Sequence, residues 1–382
     1  MKALKIGDLR IALPIIQGGM GVGVSLSGLA SAVANQGGVG VISATGIGMI
    51  EPYRNKYKKL SEANKRALKK EIQKTRQKSK GIIGVNIMLA ATDFDDLLKT
   101  SLEEGIDIVF LSAGLPLRLN AALLKETSTK FIPKVSSARA AKIIFHHWMG
   151  KYNRIPDAVV VEGHLAGGHL GFKKNDLNNT KITLASLVKE TINVMDTYEQ
   201  KTGKEIPVIA AGGIYSGNDM FNIMNIGAKG VKMGTRFVTT KECDVSKEFK
   251  QNYLSCSKND ITIIDSPVGL PGRVITNDFV REIQQGVHKP VNCRWKCLKT
   301  CDYRNVQYCI ADALLNAAKG NLDQGFSFAG ESAYLANKII NVKETIDQIK
   351  DEYLGEKEYS ILNEYLFKRT DRLFMHYQQL SK

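Results

Sequence analysis

From about Leu13 to about Thr240, short and almost uninterrupted apolar runs alternate with segments whose apolar residues recur every three to four positions. The runs are PIIQG (14–18), GVGVIS (38–43), IIGVNIM (82–88), DIVFLS (107–112), KFIPKV (130–135), AVVVEG (158–163), PVIAAGG (207–213) and KGVKMG (229–234). Strands with one wet face alternate apolar and polar residues. Runs apolar throughout are buried on both faces, as in a parallel sheet covered by helices. The helical period appears between them at Leu26–Asn35, Asp95–Glu104, Ala138–Met149, Leu184–Met195 and Asn218–Ile226. Eight strands with helical crossovers predict an α/β fold, a (β/α)8 TIM barrel, with an open doubly wound sheet as the alternative.

A barrel dictates where chemistry should sit. Active sites form at the C-terminal ends of the strands, and a phosphate site often forms in the loops after strands seven and eight. Those loops read AAGGIYSG (210–217) and MGTRF (233–237), glycine turns that lead into helices and offer backbone N–H donors to a phosphate. The sixth run ends in VVVEGHLAGGHLG (159–171), which sets Glu162, His164 and His169 among glycines at a strand end. That is what a strand delivering a catalytic side chain would look like.

Charge changes this picture little. Of the net +15, +9 falls in residues 51–80, with twelve Lys or Arg against three Glu. The segment is rich in helix formers and reads as the solvated face of a basic helical insertion at about 46–80. The chain has neither zinc-finger spacing nor an aromatic ribonucleoprotein motif, so no nucleic-acid partner is expected. An acidic or phosphorylated partner stays open. No apolar run reaches the roughly 18 residues of a membrane span, and the first residues lack a secretory apolar core, so the expected location is cytoplasmic, with no membrane partner.

From about Lys241 the alternation stops. Residues 241–382 read as a C-terminal extension capping the barrel mouth, with helical patterns at Ile310–Lys319 and Asn341–Tyr353, so the chain divides at about residue 240. The extension carries Cys293, Cys297 and Cys301 at intervals of four, then Cys309. On a helix such thiols share one face, which makes zinc or an iron–sulfur cluster one reading and free thiols or a redox pair the other. Cys243 and Cys256 look isolated. His146 and His147 sit in a helical pattern remote from strand ends, without a third ligand.

PIIQGGMGVGVS (14–25), EGHLAGGHLG (162–171), PVIAAGGI (207–214) and GTRFVTTKEC (234–243) resemble, in this order, the nitronate monooxygenase family, formerly 2-nitropropane dioxygenases. The FMN-dependent enoyl-acyl-carrier-protein reductases are close relatives, and VGLPGRVITNDF resembles the segment after their barrel. The resemblance implies an FMN-binding barrel, in agreement with the phosphate loops. It sets Gly19, Met20 and Asn86 on the flavin ring and Gly212, Gly213, Gly234 and Thr235 around the phosphate. Ala211, Gly167 and Gly168 lie beside them. It makes His169 the catalytic residue, a general base or polar partner of the substrate, which suits an imidazole. Glu162 either positions the flavin or closes the loop; His164 is surface or substrate-facing.

The function this implies is oxidation of alkyl nitronates with O2 to a carbonyl compound and nitrite. One alternative is an NAD(P)H-dependent flavin reductase, such as an enoyl-acyl-carrier-protein reductase, with an acyl-carrier protein as partner. Another is a non-catalytic barrel binding a phosphate ligand or nucleic acid. The substrate is a small molecule; oligomeric state is left open.

Overall fold

The computed structural model describes residues 1–50, 56–125, 127–177, 179–293 and 295–380, with side chains to residue 361. Its first elements are an antiparallel hairpin, β1 (Leu4–Ile6) and β2 (Leu9–Ile11), turned at Gly7. Then come the eight strands the apolar runs predict. They are β3 (Ile15–Gln17), β4 (Gly40–Ser43), β5 (Ile83–Met88), β6 (Ile108–Ser112), β7 (Lys130–Val135), β8 (Val159–Glu162), β10 (Val208–Ala211) and β11 (Gly230–Met233). All pair in parallel with their neighbours, and β11 pairs back onto β3. The ring is completed between β3 and β4 by a single parallel bridge, Ile16 with Val39. The buried Gln17 reinforces that seam, its Oε1 accepting the Val41 N–H at 2.8 Å. The fold is therefore a barrel, not an open sheet.

Burial on both faces explains the continuous apolar runs. In β8, Val160 points into the barrel, while Val159 and Val161 join the core shared with the helices. The inner cluster also contains Leu4, Ile6 and Ile11, so the hairpin is buried against the barrel interior. The crossover helices follow from caps the sequence carries. Thr183 with Ser186, and Ser216 with Asp219, form capping boxes, and Gly203 in the left-handed region stops the helix Leu184–Thr202.

The basic stretch carries the crossover between β4 and β5 as the helix Leu60–Lys78. Its buried stripe runs through Leu60, Ala63, Asn64, Ala67, Leu68, Glu71, Ile72 and Thr75, and many of its lysines stay exposed. The first residues of that stretch, 51–55, lie outside the described residues.

Residues beyond 241 bring a further sheet to the barrel mouth. The two-residue strand β9 (Gly168–His169) pairs with β13 (Pro271–Ile275), which pairs with β12 (Ile261–Asp265), all antiparallel. The helix Ile310–Lys319 forms as expected, whereas the last helix, Val342–Leu380, runs far past Tyr353. Its start lies so close to the helix Gly217–Asn225 that a Cβ on Gly217 would stand 2.1 Å from the Ile349 carbonyl oxygen. Among the described residues no helix is long and apolar enough to cross a membrane.

Candidate active site

At the C-terminal ends of the strands lies a cavity of about 660 Å3. All twelve residues the sequence points to for catalysis and cofactor binding line it: Gly19, Met20, Asn86, Glu162, Gly167, Gly168, His169, Ala211, Gly212, Gly213, Gly234 and Thr235. The wall after the seventh and eighth strands is backbone. Gly212 and Gly213 have φ of 87° and 80°, a conformation glycine adopts without strain. Thr235 Oγ1 accepts the Gly330 N–H at 3.0 Å, which ties this wall to the extension. Beside the first strand, a Cβ on Gly19 would stand 2.5 Å from Asn86 Cβ, so main chain lies directly against that side chain. Asn86 is itself held by donating to Ser112 Oγ at 3.2 Å.

Of the polar floor, the sequence points to Glu162 but not to its two lysines. Lys134 Nζ donates to both carboxylate oxygens of Glu162, at 2.8 and 2.7 Å. Lys232 lies over the Phe110 ring, 5.5 Å from its centroid, with its ammonium pulled down to about 8 by burial and by Lys134. Two lysines against one glutamate leave this floor rich in positive charge. Both lysines interrupt otherwise apolar strands, a signal present in KFIPKV and KGVKMG.

His169 is held from the extension. Its Nε2 lies 2.7 Å from Ser266 Oγ, and Phe328 meets its ring edge-on at 4.9 Å between centroids. Burial, then the nearby Lys134, pushes the imidazole down to about 4, so it is neutral at pH 7. The glycine loop is clamped around it. Arg273, buried on β13, donates to the carbonyl oxygens of His164 and Ala166 and pairs with Glu331 at 3.1 Å. A Cβ on Gly167 would stand 2.6 Å from the Ala329 carbonyl carbon, so the loop can pass under the extension only with glycine there.

His164 is not among the lining residues; it packs edge-on against Phe172 with its Nδ1 buried and unpartnered. His146 and His147 lie on the helix Ala138–Tyr152, away from the cavity. The cysteine expectation needs correcting. Among the described residues, no three His, Cys, Asp or Glu side chains are placed to hold a metal ion. The described residues from 291 to 308 are irregular, not the helix the spacing assumed, and the other three thiols lie near Cys297 without converging as a ligand set. Of the four, Cys297 alone lines the cavity, its thiol pushed up to about 12 by burial and by the neighbouring thiols.

A glycine-walled pocket over a charged floor, at the mouth of an α/β barrel, points to a class: a barrel oxidoreductase. The nitronate monooxygenase family model matches residues 2–352, and the chain belongs to that family. Its members are flavoenzymes, and the non-catalytic alternative falls with that assignment.

The chain is 31% identical to FabK from Thermotoga maritima, over 93% of this chain and 96% of that one, with a TM-score of 0.71. A nitroalkane oxidase from Streptomyces ansochromogenes shares the fold, at 21% identity over 91% and 98% of the two chains and a TM-score of 0.69. This chain is also 28% identical to the (3aS,4S,5R,7aS)-5-hydroxy-7a-methyl-1-oxo-octahydro-1H-indene-4-carboxyl-CoA dehydrogenase of Mycobacterium tuberculosis (strain ATCC 25618 / H37Rv), over 73% of this chain and 67% of that protein. A probable nitronate monooxygenase of Staphylococcus aureus (strain JH9) is 26% identical over 72% and 79%.

Proposed function

We propose that the chain is an FMN-dependent oxidoreductase that oxidises an alkyl nitronate with O2 to a carbonyl compound and nitrite. The observation that carries this reading is the neutral His169 on the wall of a cavity whose floor holds two lysines against one glutamate. A neutral imidazole can donate an N–H to a nitronate oxygen, which leaves the positive floor to the flavin. The glycine walls fit the flavin. Gly212, Gly213, Gly234 and Thr235 would hold its phosphate; Gly19, Met20 and Asn86 would meet the ring; Lys134, Glu162 and Lys232 would face its polar edge. Bound FMN would supply the two-electron acceptor that protein side chains lack.

With Nε2 on Ser266, Nδ1 is the imidazole nitrogen left to meet substrate. His169 would then orient the nitronate by donating an N–H from Nδ1, while Phe328 and the extension keep water from the reacting carbon. Changing His169→Ala should cut nitronate turnover about 10²-fold with flavin retained; unchanged turnover would remove His169 from the chemistry.

A second reading has a specific observation in its favour. Val22, Met49, Met88, Leu298, Leu314 and Phe328 line the cavity with more apolar surface than a short nitronate needs. Reduction of an enoyl thioester by NAD(P)H would use that room for an acyl chain, with His169 donating to the thioester oxygen.

A further inference from the structure

Neither reading uses the cysteines of the extension. Cys293, Cys297, Cys301 and Cys309 are free, half-buried thiols, and Cys297 lines the cavity. The chain brings the others near it. Between Cys293 and Cys297 it folds back: Lys296 takes the left-handed conformation at φ 44°, and its N–H donates to Cys293 Sγ at 3.4 Å. Cys297 and Cys309 pack against one apolar group, made of Val22, Met49, Leu60, Ala311 and Leu315. Cys301 shares a different group with Cys297, around Ile264 and Tyr308. Of the three neighbouring thiols, Cys309 acts most strongly on Cys297.

Cys297 and Cys309 belong to separate pieces of the cavity wall. Cys297 opens a stretch laid antiparallel along the loop after β5. Its carbonyl oxygen accepts the Thr92 N–H at 3.1 Å, Leu298 bridges Ala91, and the Lys299 N–H donates to the Ala90 carbonyl oxygen at 2.8 Å. Cys309 immediately precedes the helix Ile310–Lys319, whose Ile310, Ala311 and Leu314 line the cavity. Residues 299–308, between these pieces, form neither helix nor strand. A bond from Cys297 to Cys309 would pin one piece of wall to the other. Burial pushes the two thiols up, to about 12 and about 11, so both are mostly protonated at neutral pH. Such thiols react slowly, but a disulfide made from them also resists reduction, because each is a poor leaving group.

We propose that Cys297 and Cys309 are a dithiol–disulfide pair that fixes the cavity wall when hydrogen peroxide oxidises it. One thiol, as its thiolate, takes an oxygen from the peroxide to give a sulfenic acid and water. The other thiol then displaces that hydroxyl as a second water. The two sulfurs lose two electrons and the peroxide gains them. Once closed, the pair holds the stretch 297–299 to the helix Ile310–Lys319, so the mouth opens less readily and bound flavin leaves more slowly. The pair depends on neither reading of the reaction.

The test treats the FMN-loaded protein with hydrogen peroxide and maps its tryptic peptides. Cleavage after Lys296, Lys299 and Arg304 puts the four cysteines on four peptides, so every pairing has its own mass. The expected product links Cys297 to Cys309, consumes two of the six thiols and reverts with dithiothreitol. Cys309→Ser should abolish the link without harming the helix, since serine suits the position before one. Cys301→Ser should leave the link intact. Release of FMN, followed by the fluorescence it regains in solution, should slow about threefold on oxidation of the wild type and not of Cys309→Ser. A link between any other two cysteines, or a sulfinic acid at Cys297 with no disulfide, overturns the pair. The expected link with unchanged flavin release overturns its hold on the cavity wall.

Discussion

Acid should weaken this fold in part through the imidazole of His169. His169 is held at about 4, against an ordinary value of 6.5. Above pH 6.5 it is neutral in both folded and unfolded chains, and its contribution is fully present. As pH falls below 6.5 the unfolded chain takes up a proton that the folded one refuses, so stability is lost. The loss ends near pH 4, where the folded state also protonates. At about 1.36 kcal/mol per unit, the span corresponds to at most about 3 kcal/mol. The assay is urea unfolding of the wild type and His169→Gln at several pH values between about 7.5 and about 4.5. Lost packing offsets the variant equally at every pH, and carboxylate titration is common to both, so their difference isolates the imidazole. The wild type should lose more stability than the variant across that window. Parallel curves would refute a buried neutral His169.

Two further predictions concern its surroundings. Ser266→Ala removes the hydroxyl 2.7 Å from His169 Nε2 and should lower kcat about tenfold, with KM little changed and flavin retained, in steady-state assays; an unchanged kcat would show that Ser266 does not position the ring. Lys134→Met strands the buried Glu162 carboxylate and should cost about 3 kcal/mol in urea unfolding. The double change Lys134→Met, Glu162→Leu should recover most of that stability but bind FMN more weakly, and full flavin occupancy in the double variant would exclude the pair from cofactor binding.

How much of this was legible in the sequence depended on how local the cause was. All eight barrel strands could be read, because burial on both faces makes each run apolar by itself. The glycine loops were legible for the same reason: backbone that approaches a ligand or another segment must lack a Cβ, and Gly167 and Gly212 do. Lys134 and Lys232 were visible as charges inside apolar strands but went unused, since nothing local says that both point to one floor. Ser266, Arg273 and Phe328 were out of reach. They come to His169 through a pairing only two residues long between β9 and β13, about a hundred positions apart. The cysteines were legible only as a spacing. That spacing assumed a helix, whereas the segment is irregular, and the other three thiols lie near Cys297 without forming a metal-ligand set among the described residues.

The most direct test of the central claim is an anaerobic visible spectrum of the purified protein, loaded with FMN and titrated with an alkyl nitronate. The account predicts an oxidised-flavin band that nitronate alone bleaches, with recovery in air and release of nitrite. A flavin band untouched by nitronate but bleached by NADPH or NADH would contradict nitronate oxidation and install the reductase reading, and no flavin band even after added FMN would contradict both.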